Sequence, residues 1–366
     1  MRIDSLQLFQ FRNYKDVTIK CNPEIIVLHG TNGAGNTNIL ESIYVGTIGK
    51  SHRTNDTSDM LMFNAEEAGI VVKFEKKDTP QKVNIKLFRQ GPKDIRLNDT
   101  KISQKELIGT LNTVIFCPED LQLIKGTPSG RRRFLDMEIS QTSATYYHQL
   151  MQYNRLLQQR NAVLKEYRGK QNIPLEEWDL QLADMASFIV KKRLESLKKI
   201  NLLIDLMNRK LTGGLENLTI GYEQPYMDNG SLEYIKEGFY ERIKAALPQD
   251  RHRLTTSVGP HRDDLRFFSD AMDLKKFGSQ GQQRTAVLSL KLSELEFIKS
   301  EVGEYPVLLL DDVLSELDES RRANLLQFIH KRIQTFITTT DIHDFKDLKS
   351  VQFISCEGGK VQYGQP

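Results

Sequence analysis

The residues best equipped for chemistry stand at two distant points of the chain. Gly30-Thr31-Asn32-Gly33-Ala34-Gly35-Asn36-Thr37 spaces its glycines as G-x-x-x-x-G and ends on a hydroxyl. Such a loop folds so that successive backbone N–H groups converge on phosphate oxygens, and a following helix adds its positive N-terminal end. Val307-Leu308-Leu309-Leu310-Asp311-Asp312 is an apolar run closing on two carboxylates. That is the form of a buried parallel strand delivering acids to the edge of a sheet. ATP and Mg2+ are the ligands this pairing calls for, with Thr37 and Asp311 on the metal side and Asp312 polarising an attacking water as general base. An Asp at a strand end can also cap the next helix, but the glycine loop independently demands a metal-side acid.

Asn36 stands where such a loop carries lysine. An amide has no charge and is too short to reach the β- and γ-phosphates. A glycine turn that merely joins strand to helix would explain it, as would a true phosphate loop altered by substitution. The neighbouring residues favour the second, so weakened nucleotide binding and strongly impaired hydrolysis are expected, at about 1.5 to 3 kcal/mol for one charge-assisted hydrogen bond.

The elements that must position these groups are legible in the periodicity. Residues 2–11 and 16–20 read as strands around the polar turn Arg12-Asn13-Tyr14-Lys15, and residues 24–29 as a buried strand before the loop. Residues 36–49 carry helical apolar spacing at Ile39, Leu40, Ile43 and Tyr44, and residues 70–116 alternate as a β-rich subregion. Residues 131–168 and 178–211 are long, polar and helically periodic, and predict an antiparallel helical arm of about 50 Å, joined by a polar connector with Pro174. The pattern then returns to loop, helix, buried strand and helix, ending on a strand at Thr335–Thr339.

About three quarters of the chain lies between Thr37 and Asp311, so something large is inserted between the two halves of the site, as in ABC-type ATPases. Those proteins carry a further element shortly before the acidic strand. Lys276-Phe277-Gly278-Ser279-Gln280-Gly281-Gln282-Gln283-Arg284 resembles that signature, in which a serine, a glycine backbone and a helix N-terminus reach the γ-phosphate held by an opposite subunit. Ser315-Glu316-Leu317-Asp318 resembles the segment that crosses the dimer interface.

With Phe11-Arg12-Asn13-Tyr14, Cys117-Pro118-Glu119-Asp120-Leu121, the triple arginine of residues 131–133 and Ser257-Val258-Gly259-Pro260-His261-Arg262-Asp263-Asp264, the whole chain resembles the RecF recombination-mediator ATPases. The resemblance implies an α/β, ABC-type P-loop ATPase head. Lobe I would comprise residues 1–117 and 285–366, and an inserted, mainly helical lobe II, residues 118–284, would carry the arm and signature. It implies an ATP-dependent homodimer on double-stranded DNA in bacterial gap repair, working with RecR and RecO to load RecA. The nucleotide contacts carried over are Gly30, Thr31, Asn32, Gly33, Ala34, Gly35, Asn36, Thr37 and Asn38, with Ser279, Gly281 and Gln282 from the signature and Asp311 and Asp312 beside them. Gln122 is a candidate for the glutamine-loop position, though a solvated helix residue reads equally well. His343, Asp341 and Thr340 compete for the switch position.

Composition sets the limits. The 366 residues are 39% hydrophobic and 27% charged with a net charge of +3, which describes a folded chain with no global field for polyanions. DNA contact must be local, and Arg131, Arg132, Arg133, Lys191, Lys192 and Arg193 are the best clusters; pairing of the triple arginine with acids beside the nucleotide site is the alternative. Cys21, Cys117 and Cys356 lack metal-ligand spacing, and no apolar stretch suits a signal core or a membrane helix, so a cytoplasmic protein without a membrane partner is expected. Two other readings stay open: an ABC-type subunit of a different system, and a scaffold whose nucleotide site is dead by nature.

Overall fold

The computed structural model describes residues 1–31, 33–168, 174–214, 216–225, 231–345 and 350–364. The chain forms two compact units, Met1–Asp120 with Glu294–Pro366, and Leu121–Ser293. Both chain ends therefore enter the first unit.

The first unit holds two six-stranded sheets. One is antiparallel, in the order Tyr14–Lys20, Arg2–Phe11, Glu67–Lys76, Thr79–Phe88, Asp94–Leu97, Thr100–Ile102. Its strands alternate as half-buried strands must, with Leu6, Leu8, Ile70, Val72, Phe74, Val83 and Ile85 inward. The other runs Lys360–Gly364, Val351–Glu357, Ile25–His29, Thr335–Thr339, Val307–Asp311, Thr113–Phe116, parallel except at the Lys360–Gly364 edge. Its central strands are buried on both faces, which is why they read as continuous apolar runs. Two expectations are corrected here. Thr113–Phe116 leaves the β-rich subregion to pair in parallel with Val307–Asp311, and the hairpin Val351–Glu357 with Lys360–Gly364 extends the sheet beyond the strand taken as last.

The helix Asn36–Ile48 packs against both sheets. Ile39, Leu40, Ile43 and Val45 are wholly buried, and full burial of such side chains stabilises the fold by about 1.5 to 3 kcal/mol each. At Gly46 a Cβ would come within 2.7 Å of Val72 Cγ2, so glycine permits the close approach of helix and antiparallel sheet.

The second unit is mainly helical, with a small antiparallel sheet ordered Met272–Asp273, Asp264–Ser269, Leu218–Glu223. The first long helical stretch is not continuous. It breaks at Ser143, whose backbone is extended and whose side chain caps a new helix by accepting from Tyr146 N, giving Pro128–Thr142 and Ala144–Glu166. Glu176–Thr212 is a single helix of 37 residues, about 55 Å long, packed against Ala144–Glu166. The connector joining those two helices lies partly outside the described residues.

Candidate functional site

Parallel register brings the carboxyl ends of Ile25–His29, Thr335–Thr339 and Val307–Asp311 to one edge of the sheet. That edge is where open α/β sheets bind ligands. The glycine loop leaves the first of these strands and the two acids end the third. Thr37 Oγ1 donates to Asp311 Oδ1 at 2.8 Å, and Thr338 Oγ1 donates to the same oxygen at 2.8 Å. Asp312 N donates to Thr338 Oγ1 at 2.9 Å, and Asp312 itself is exposed with a left-handed backbone, φ 52°. For a residue other than glycine that conformation stores strain.

A cavity of about 280 Å³ lies here, lined by Thr31, residues 33–38, Arg53, Asp312 and residues 338–340. Asn32 lies outside the described residues. Gly35 is the N-cap of the helix at φ 117°, offers no side-chain acceptor, and the first helical turn holds no acid, so the helix end faces the cavity without an internal anion. Asn36 lines the cavity, but its Oδ1 is buried without a hydrogen-bond partner among the described residues. An orphaned acceptor of this kind costs about 1 to 3 kcal/mol.

A brace behind the loop was not foreseen. Asn13 Nδ2 donates to Ala34 O at 3.0 Å, and Asn13 Oδ1 accepts from Asn38 Nδ2 at 2.9 Å. A Cβ on Gly35 would strike Asn13 and Tyr14 within 2.9 Å, which gives the Phe11-Arg12-Asn13-Tyr14 turn a physical role as backing for the loop. Its neighbour Arg12 clamps Glu41 through Nε at 2.8 Å and Nη2 at 2.6 Å. Ser51 Oγ donates to the same carboxylate at 2.5 Å and Arg53 Nη1 at 3.2 Å. Burial would raise the Glu41 carboxyl, but the hydrogen bonds from Arg12 and Ser51 and the charges of Arg12 and Arg53 outweigh it and hold it below the usual carboxylate range. The available signal was that Glu41 is the one charged residue of the helix Asn36–Ile48.

The signature residues lie in the second unit. Ser279 Oγ accepts from Gln282 N at 3.2 Å and Gln282 Oε1 accepts from Ser279 N at 3.0 Å, a reciprocal cap that starts the helix Gln280–Val302. Gln282 also donates to Glu216 at 3.0 Å. Among the described residues nothing requires Gly281 to be glycine: its φ is not positive, and a Cβ there would meet only Ser279 Oγ, at 3.9 Å.

The basic clusters divide sharply. Arg131 is buried and forms a fork to Asp264 at 2.7 and 2.8 Å, and Arg193 is buried against Asp136 with Nη1 on Pro260 O. Both are corrected from phosphate-facing cations to internal ion-pair partners, because burying a guanidinium requires a paired carboxylate. Arg132 donates to Asp263 O at 2.7 Å, Lys192 pairs with Glu195 at 2.7 Å, Lys191 is half-buried and Arg133 is exposed. Gln122 is exposed on the short helix Gln122–Lys125. His343 and Asp341 are exposed and do not line the cavity, whereas Thr340 does.

The chain matches the family described as RecF/RecN/SMC N terminal domain over residues 2–361. It is 45% identical over 352 residues to the DNA replication and repair protein RecF of Alkaliphilus oremlandii, covering 95% of this chain and 96% of that one. The protein of the same name from Clostridium botulinum strain Eklund 17B is 43% identical over 362 residues, 98% and 99% of the two chains. A solved structure of the recombination mediator protein RecF-ATP in the RecFOR pathway superposes with a TM-score of 0.93 at 33% identity, covering 100% of this chain and 98% of that one. An Smc head bound to the C-terminal winged-helix domain of ScpA shares the fold, with a TM-score of 0.59 at 17% identity over 100% of this chain and 97% of that one.

Proposed function

This chain belongs to the RecF family of DNA replication and repair proteins, and on that premise we propose that it is an ATP-controlled clamp on duplex DNA that works with RecR and RecO to load RecA. The observation that carries the reading is the 2.8 Å hydrogen bond between Thr37 and Asp311, which joins the two halves of a nucleotide site across 274 residues of sequence. Residues 30–38 would cradle the phosphates with backbone N–H groups, aided by the uncapped end of the helix. Thr37 and Asp311 offer a hydroxyl and a carboxylate, the hard oxygen donors that suit Mg2+, and the ion when bound would neutralise phosphate charge. Asp312, exposed at the cavity, would orient and deprotonate the attacking water.

Ser279, Gly281 and Gln282 would act on the nucleotide of a second copy. Support comes from Gly281, whose missing side chain answers no demand among the described residues and suits the close approach of an external phosphate. Of the basic residues, Arg133, Lys191 and Lys192 remain for the DNA backbone. The neutral Asn36 would leave the clamp able to bind ATP weakly and poorly able to hydrolyse it.

Gly281→Ala tests the clamp. Made in the Asn36→Lys background, where dimerisation driven by ATP is expected, the variant should fold without loss of stability and lose that dimerisation, measured by sedimentation with and without duplex DNA. Unchanged dimerisation would remove the signature from the reading.

A further inference from the structure

The nucleotide cavity of this chain is nearly devoid of positive charge. Among the described residues that line it, Arg53 is the one cationic side chain and Asp312 the one acidic side chain. Asn36 cannot compensate: its Oδ1 lies 3.2 Å from where a Gly30 Cβ would be, turned into the loop and buried without a partner among the described residues. A triphosphate brings several negative charges into this space, so the placement of Arg53 decides how they are met.

That placement is set by a buried carboxylate. Glu41 is wholly buried one turn beyond Thr37 in the helix that follows the loop, and Arg12 and Ser51 pin both of its oxygens. From this fixed point Glu41 Oε2 accepts from Arg53 Nη1 at 3.2 Å, while Asn38 Oδ1 accepts from the same nitrogen at 2.9 Å. Arg53 remains 43% exposed, and its Nε and Nη2 make no hydrogen bond to other described residues. One edge of the guanidinium is therefore anchored and the other is left with donors beside the cavity.

The geometry points to Glu41 as a positioning residue that holds Arg53 beside the phosphates, where Arg53 carries the positive charge that Asn36 lacks. The inference rests on the ATP reading of the cavity. Glu41 touches no ligand; it acts by fixing one half of a two-sided fork so that little side-chain entropy remains to be lost on binding. The competing role for the contact is local, since Ser51 Oγ also accepts from the backbone N–H groups of Arg53 and Thr54 and the cluster could simply shape residues 51–54.

A double-mutant cycle separates the two. ATP affinity is measured by calorimetry for this chain, Arg53→Ala, Asn36→Lys and the pair combined, with thermal unfolding as the check on folding. Arg53→Ala should weaken binding about 10- to 100-fold in this chain, the worth of one charge-assisted hydrogen bond, and less than about 3-fold in the Asn36→Lys background, where a second cation is present. Glu41→Gln should weaken binding in this chain and add nothing once Arg53 is gone. Because Glu41→Gln can also loosen Arg12, Arg53→Lys provides an independent arm: it keeps the charge, gives up the guanidinium Nη1 that both Glu41 and Asn38 hold, and should recover part of the affinity lost in Arg53→Ala. Equal cost of Arg53→Ala in both backgrounds would overturn the inference and leave the ATP reading intact. If neither this chain nor Asn36→Lys binds ATP, the ATP reading falls and the inference with it.

Discussion

Two regions of the molecule use arginine in opposite ways. Beside the phosphate loop, Arg53 shares the buried Glu41 with Arg12 yet stays open at a cavity. In the helical unit, Arg131, Arg160 and Arg193 are buried and answered by acids of the same unit: Asp264, Asp179 with Asp250, and Asp136. Arg160 Nη1 also reaches Thr256 Oγ1 at 2.9 Å, Asp250 Oδ1 accepts from Ser257 N at 2.9 Å, and Arg193 Nη1 holds Pro260 O at 2.7 Å. The second group therefore fastens residues 256–264 to the long helices. A cation that the chain itself neutralises is structural, and one left half-answered is available to a ligand.

The largest effect should come from breaking the internal set. Arg160→Ala would strand Asp179 and Asp250 in the interior and is expected to cost about 3 to 5 kcal/mol in urea unfolding. A loss near zero would mean that the buried network is not what holds the loop.

Next is the pH response of the same region. His261 Nδ1 meets Tyr153 Oη at 2.6 Å, its Nε2 meets Thr256 O at 3.2 Å, and burial lowers its pKa to about 4. A His depressed on folding stabilises above its unfolded value and loses that contribution as pH falls from about 6.5 to 4, about 3 kcal/mol in all. Asp263 runs the other way. Burial raises its pKa to about 6, so its contribution is present below the ordinary carboxylate value and fades as pH rises toward 6. His261→Gln should therefore flatten the acid-side loss in unfolding experiments, and Asp263→Asn should tilt the profile oppositely; parallel shifts would refute both assignments.

Smaller, and on the other side of the comparison, Asn36→Lys should tighten ATP binding by about 1.5 to 3 kcal/mol, read by calorimetry. Smallest is Arg133→Ala, which removes an exposed side chain and should leave stability within about 0.5 kcal/mol, while lowering duplex affinity and its salt slope if Arg133 meets phosphate.

The same contrast explains what was legible beforehand. Strand, glycine loop and helix, and the acidic strand, were readable because each declares itself within a short window: a β-branched run, glycines at fixed spacing, an apolar run ending in acids. The break at Ser143 was hidden because the apolar spacing continues across it while a single cap starts the second helix. The edge hairpin at the chain end, with an exposed outer strand, carries too little apolar contrast to stand out. Arg131 and Arg193 could not be told from surface cations, since Asp264 and Asp136 lie 133 and 57 residues away in sequence. Arg53 was missed for the matching reason: only the fold sets it beside Glu41 and Asn38 at the cavity.

The most direct test compares this chain with Asn36→Lys for ATP turnover and for dimerisation driven by ATP, each with and without duplex DNA. The expected result is that both proteins bind ATP, that Asn36→Lys binds more tightly, and that it alone turns ATP over and dimerises efficiently. If neither protein responds to ATP, the meeting of Thr37 with Asp311 does not make a working nucleotide site, and the clamp is contradicted.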